Sequence, residues 1–103
     1  MSKYVAILQN KKPEPMPEGL LESHVAHLKQ LRRKGILFLC GPLRGSGSLM
    51  QIFDASSYQE AEDCLRQDPY ISENYFTEYT LYELVEADEA NNYLMDGARK
   101  KPV

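Results

Sequence analysis

In this chain of 103 residues, few side chains are suited to moving a proton near neutral pH: two histidines, His24 and His27, and a carboxylate in an unusual setting, Asp68. Asp68 lies in the stretch Gln67-Asp68-Pro69-Tyr70. Proline disfavours the helical conformation in the residue before it, so Asp68 is expected in an extended geometry where the helix carrying Cys64 and Leu65 stops. Asp is also a preferred cap and Pro a preferred first helical residue, so a short helix beginning at Pro69 would use the same carboxylate. An imidazole, with a reference pKa of about 6.5, suits general acid or base work, and a carboxylate beside it orients the ring, selects its tautomer and raises its basicity. Each residue also has a plain structural reading, His24 as a core histidine satisfied by backbone and Asp68 as a cap alone.

Metal chemistry is weighed separately. His24 and His27 have the i, i+3 spacing of two helical ligands, with Asp68 a conceivable third. The two rings nevertheless point about 60° apart around a helix. The chain has no further histidine, and its cysteines lie elsewhere in the sequence. Neither a metal nor an organic cofactor is expected.

The elements that must position these groups can be read in chain order. Tyr4 to Leu8 is an apolar run of strand length. Lys11 to Gly19 holds Pro13, Pro15 and Pro17 and reads as a loop. From Glu18 to Lys34 the pattern is helical and stops at Gly35. Leu20, Leu21, Leu28 and Leu31 fall on one face, with His24 near its middle and His27 on its edge. Ile36 to Cys40 reads as a buried strand ended by Gly41-Pro42, Leu43 to Ser48 as a flexible connector, and Leu49 to Phe53 as the second arm of an antiparallel hairpin. A glycine-rich connector can cradle phosphate, but that use needs a helix to follow, and here a strand follows. Ser57 and Glu60 have capping-box spacing and open a helix over Tyr58 to Gln67. The last strand, Phe76 to Val85, has Phe76, Tyr82 and Leu84 on one face and Tyr79, Leu81 and Val85 on the other.

The order strand, helix, strand, strand, helix, strand is the ferredoxin-like βαββαβ arrangement, an α+β fold with a four-stranded antiparallel sheet and two helices on one face. In this topology the start of the first helix approaches the end of the second, which brings His24 toward Asp68. Two helices leave the other sheet face uncovered, and its apolar residues predict a second copy packed against it as a homodimer. Residues 1–86 form the domain, and 87–103 a polar tail with a short helix near Tyr93-Leu94-Met95 and a frayed end.

Composition narrows the function. A net charge of −3 argues against nucleic acid as the main partner. The basic run Arg32-Arg33-Lys34 closes a helix, where cations suit the dipole. No apolar run is long enough to span a membrane, and no signal-peptide pattern opens the chain, so a cytoplasmic protein is expected. Cys40 and Cys64 lie among apolar residues and are expected as buried, reduced thiols.

The order of short motifs is more specific than any one of them. His24 followed by Leu28, Leu31 and Gly35, then Gly41-Pro42-Leu43, Phe53-Asp54-Ala55, the Ala61 helix and Asp68-Pro69-Tyr70 resemble the YciI-like (YCII-related) family over about Tyr4 to Leu84. The resemblance implies the dimeric α+β barrel fold and a His/Asp pair, here His24 and Asp68, in a cleft. It also implies relatives that act on small chlorinated aromatic or lactone-like compounds in dehydrochlorination steps. Many relatives carry an arginine one turn before the histidine, and here that position is Leu21. Arg44 in the hairpin loop could supply the positive charge instead. Pro42, Arg44 and Tyr70 are the candidate substrate contacts, although Tyr70 and Tyr75 also suit packing, and the proline-rich loop is expected at the cleft rim.

The function expected is a small-molecule enzyme, lyase- or isomerase-like, with His24 as general acid or base and Asp68 orienting it. The competing class is a non-catalytic ligand-binding or interaction module in which the pair only holds the cleft together.

Overall fold

A computed structural model describes residues 1–100, with side chains to residue 97. The frayed end expected of the tail extends into residues outside that range. Ten residues, Ser2–Lys11, form β1, followed by α1 (Leu20–Arg33), β2 (Leu37–Leu43), β3 (Ser48–Ala55), α2 (Tyr58–Arg66), α3 (Pro69–Ser72) and β4 (Phe76–Leu84). A 3-10 segment, Glu89–Leu94, and α4 (Met95–Lys100) complete the described chain. The sheet is antiparallel throughout, in the order β2-β3-β1-β4. The expected α+β fold with βαββαβ order is therefore present, with α3 added at the Pro69 junction.

Register decides which side chains meet the helices. Opposed residues share a face, and β1 places Tyr4 against Phe53, Ala6 against Gln51 and Leu8 against Leu49. On its other side Ala6 meets Leu81 and Leu8 meets Tyr79. With Leu20 and Leu31 of α1 and Ala61 and Leu65 of α2, these residues make the core. Fully burying a side chain of leucine or phenylalanine size contributes about 1.5–3 kcal/mol, so this face anchors both helices.

The cap signals act as the sequence implies. Gly35 adopts φ 76 and closes a Schellman motif: its N–H donates to the Arg32 carbonyl, and the Ile36 N–H donates to that of Leu31. Ser57 Oγ accepts from the Glu60 N–H at 3.1 Å, while the Glu60 carboxylate reaches one residue further back, to the Ser56 N–H.

Four expectations change. The strand expected to end at Gly41-Pro42 continues through both to Leu43, pairing Gly41 with Met50 and Pro42 with Leu49. Proline is tolerated there because β2 is an edge strand and one side of its backbone has no ladder partner. The connector shrinks to a turn at residues 44–47, in which Gly45 (φ 83) and Gly47 (φ 72) take the left-handed conformation.

The continuous apolar strand beginning at Ile36 is not buried throughout. A bulge between Leu37 and Leu39 leaves Phe38 unpaired, so Phe38 and Leu39 are exposed while Leu37 is buried. Leu21 leaves the buried stripe and is 47% exposed. Phe76 is buried beside Tyr70 and Tyr75, with ring centroids 5.5 Å from each, rather than lying open with Tyr82 and Leu84.

The face of the sheet turned away from the helices carries Val5, Ile7, Leu39, Met50, Ile52, Tyr82 and Leu84, placed together by the pairings Val5–Ile52, Val5–Tyr82 and Ile7–Met50. Tyr82 is 68% exposed there.

Candidate functional site

The site assembles where α1, the α2–α3 junction and β3 converge. His24 lies one turn into α1, on the face that packs toward the sheet. Asp68 has φ −64 and ψ 126, the extended geometry imposed by Pro69, and its side chain caps α3 by accepting from the Tyr70 N–H at 2.9 Å. The same carboxylate lies 2.8 Å and 3.0 Å from His24 Nδ1 through its two oxygens. Gln51 Nε2 donates to Asp68 Oδ2 at 2.8 Å. Asp68 is fully buried, and every partner found for it is a donor.

This network fixes the histidine tautomer. Asp68 already accepts from the Gln51 amide and the Tyr70 N–H, so His24 Nδ1 is the donor in its contact with the carboxylate, which leaves Nε2 as the free end of the ring. Among the described residues Nε2 has no hydrogen-bond partner, yet it is not among the fully buried unpaired atoms. The ring is 5% exposed, and that opening is onto a cavity. The other face of the imidazole is held by Tyr70, stacked at 3.7 Å between centroids with 8° between planes.

The cavity measures about 550 Å3, within the range typical of small-molecule sites. Of the residues singled out by sequence, His24, Pro42, Arg44, Tyr70 and Tyr75 all line it. Asp68 does not. It lies behind His24, fully buried and in contact with Nδ1. Leu21 is part of the wall, as are Lys11 and Met16 from the end of β1 and the proline-rich loop. The two readings of Tyr70 and Tyr75 hold together, since both are buried packing residues and both face the cavity. Burial, then the neighbouring Tyr75, Asp68 and Glu22, raises the Tyr70 phenol above its ordinary value.

Two residues were not foreseen in these positions. Sequence places Gln51 only within a strand, although one polar residue between Leu49 and Phe53 on an inward face is an available signal. Its Oε1 is buried and has no partner among the described residues. Cys40 was expected to be a buried thiol but is exposed and lines the cavity, because the bulge at Phe38 turns it inward toward the helix side. Desolvation pushes its thiol up, opposed by the charge of Arg32 and reinforced by that of Asp68. Cys64 is half-buried, and its thiol is likewise raised by burial.

His27 is committed elsewhere: its Nε2 meets the Cys64 carbonyl at 2.9 Å and ties α1 to α2. No group of three or more His, Cys, Asp or Glu side chains among the described residues is arranged to hold a metal ion. Among the same residues no helix is long and apolar enough to cross a membrane.

Comparison with solved structures gives the same architecture. 5-Chloro-2-hydroxyhydroquinone dehydrochlorinase (TftG) from Burkholderia phenoliruptrix AC1100, solved with 2,5-dihydroxybenzoquinone, superposes with a TM-score of 0.61 at 18% identity, covering 84% of this chain and 97% of that one. Muconolactone isomerase superposes with a TM-score of 0.67 at 20% identity, covering 86% and 93%. At such identities the likeness is one of fold, that of the dimeric α+β barrel proteins. No curated protein sequence matches the chain. The sequence profile of the YCII-related domain matches residues 3–85, from the first strand to the last, and the chain belongs to that family.

Proposed function

We propose that the protein is a cofactor-independent enzyme acting on a small cyclic organic molecule, with His24 Nε2 as the general base and acid. The observation that carries this reading is the division of labour on one ring: Nδ1 is held by a buried carboxylate while Nε2 is left unpaired at a cavity wall. In an elimination, Nε2 takes a proton from a carbon beside a carbonyl. The C–H electrons form the new double bond, and a leaving group such as chloride departs with its own pair. In an isomerisation the same proton returns to a different carbon. In both, the imidazolium formed on the ring is stabilised by Asp68 without proton transfer to the carboxylate. Pro42, Arg44 and Tyr70 are proposed as substrate contacts. The chemistry named for two proteins of this fold, a dehydrochlorinase and a lactone isomerase, is compatible with a base of this kind.

The working unit proposed is a homodimer, with the open sheet face covered by a second copy. The exposed apolar residues Leu39, Tyr82 and Leu84 on that face support it. Free thiols at Cys40 and Cys64 support a cytoplasmic location.

A second reading, a ligand-binding module without turnover, is favoured by the structural load on Asp68, which also caps α3 and bonds Gln51. Screening chlorinated cyclic ketones, chlorohydroquinones and unsaturated lactones for chloride release or an absorbance change separates the two readings. Turnover that His24→Asn lowers by about 10²–10⁴-fold supports the enzyme. Turnover untouched by that substitution overturns the assignment of His24.

A further inference from the structure

The charged groups around the cavity are of one sign. Beside His24, its lining contains two ionisable side chains with permanent charge, Lys11 and Arg44, and no carboxylate. That is unexpected in a chain with 15 acidic and 12 basic residues. The two cations come from separate elements. Lys11 ends β1, opposite Phe76, and Arg44 opens the turn between β2 and β3. Neither is engaged in an ion pair or side-chain hydrogen bond among the described residues, whereas Lys3 on the far side of the sheet is shared between Asp54 and Glu86. Both are exposed. The nearest buried charge, Asp68, has its oxygens taken up by His24, Gln51 and the Tyr70 N–H. The remaining wall is apolar and aromatic, including Leu21, Val25, Leu28 and Leu49 with Tyr75 and Phe76.

We infer that the ligand of this cavity is an anion with an apolar ring body, a cyclic or aromatic carboxylate or a phenolate, whose charge is held at the mouth by Lys11 and Arg44 while its ring lies against the apolar wall toward His24. This rests on the reading of the cavity as a substrate site and names the substrate class. Two charges from different elements attract such a ligand from solution and fix which end enters first. Low-dielectric walls behind them strengthen each contact relative to open water.

Titration of the intact protein with 2-naphthoate, 2-naphthamide and acetate tests the inference, because the three separate ring, charge and their combination. Naphthoate is expected to bind at least tenfold more tightly than naphthamide, and acetate to bind negligibly. Lys11→Gln and Arg44→Gln, both at exposed positions, are each expected to weaken naphthoate about three- to tenfold and to leave naphthamide unchanged, with the difference shrinking as salt is raised. Bound naphthoate is expected to slow alkylation of Cys40 by iodoacetamide, with Cys64 as the internal control outside the cavity.

Equal affinity for naphthoate and naphthamide, affinity unaffected by both substitutions, or an unprotected Cys40 overturns the inference. His24→Asn keeps the two questions apart. Loss of turnover with naphthoate affinity retained supports both readings, and absence of charge preference in the wild-type protein removes this one whatever His24 does.

Discussion

The imidazole of His24 and the phenol of Tyr70 lie face to face, 3.7 Å between centroids and 8° from parallel. The stack fixes the plane of the ring, and the contact of Nδ1 with Asp68 selects between the two flips of that plane, turning Nε2 away from the carboxylate. Tyr70→Leu removes the flat support and leaves Asp68 in place. The expected result is a fall in turnover larger than the fall in ligand affinity, measured as kcat against KM once a substrate is found.

Tyr70 also makes the fold sensitive to alkali. Burial, with Tyr75, Asp68 and Glu22, raises its phenol above the ordinary value near 10. The folded chain therefore holds this proton to higher pH than the unfolded chain does. Its contribution is fully present below about pH 10 and is lost as pH rises through the folded value. Tyr79, raised by burial and by its bond to Glu62, acts in the same direction. Urea unfolding between about pH 8 and 11 is expected to show stability falling at the alkaline end, less steeply in Tyr70→Phe.

Asp68→Asn replaces an acceptor of three donors with a group that must present an amide to at least one of them. Leaving one of these buried donors without an acceptor costs about 1–3 kcal/mol. A loss of that size is expected in denaturant unfolding. A loss below about 1 kcal/mol would mean that the carboxylate holds far less of the structure than its contacts indicate.

Gln51→Leu separates the two ends of one side chain. The substitution loses a hydrogen bond to a charged group, worth about 1.5–3 kcal/mol, and also removes a buried carbonyl with no partner, a penalty of about 1–3 kcal/mol. The two nearly cancel. Stability is expected to stay within about 1 kcal/mol of wild type in denaturant unfolding.

On the open sheet face, Tyr82→Glu places a charge at a position that is 68% exposed in the single chain. If a second copy covers this face, the substitution buries an unpaired carboxylate and shifts a dimer toward monomer in light scattering at micromolar concentration. A wild-type protein already monomeric under those conditions would end the dimer proposal.

Much of this arrangement was readable from residue types. Gly35, Ser57 and Pro69 each force a local geometry, and a fold that brings the start of one helix to the end of another places His24 beside Asp68. What escaped was not local. Lys11 and Arg44 share a cavity only because β1 ends near the β2–β3 turn, and no periodicity encodes that approach. The exposure of Leu21 is of the same kind, since a helical stripe shows which residues align but not how far the surface beneath them reaches.

The bulge at Phe38 turns the edge strand into a device for exchanging walls. One surplus residue lets Leu37 stay in the core while Cys40 and Pro42 face the cavity and Leu39 faces outward. Deleting Phe38 would remove the surplus residue and leave Cys40 and Pro42 facing the cavity, whereas pairing Phe38 with Ile52 in place of Leu39 would present Leu39 and Gly41 to the cavity instead. A one-residue shift of register thus separates two linings, one with a thiol and a rigid ring and one with neither, on an edge strand that bonds to a neighbour on one side only. Variation in what such a scaffold accepts can accumulate there without disturbing His24, Asp68 or the core beneath them.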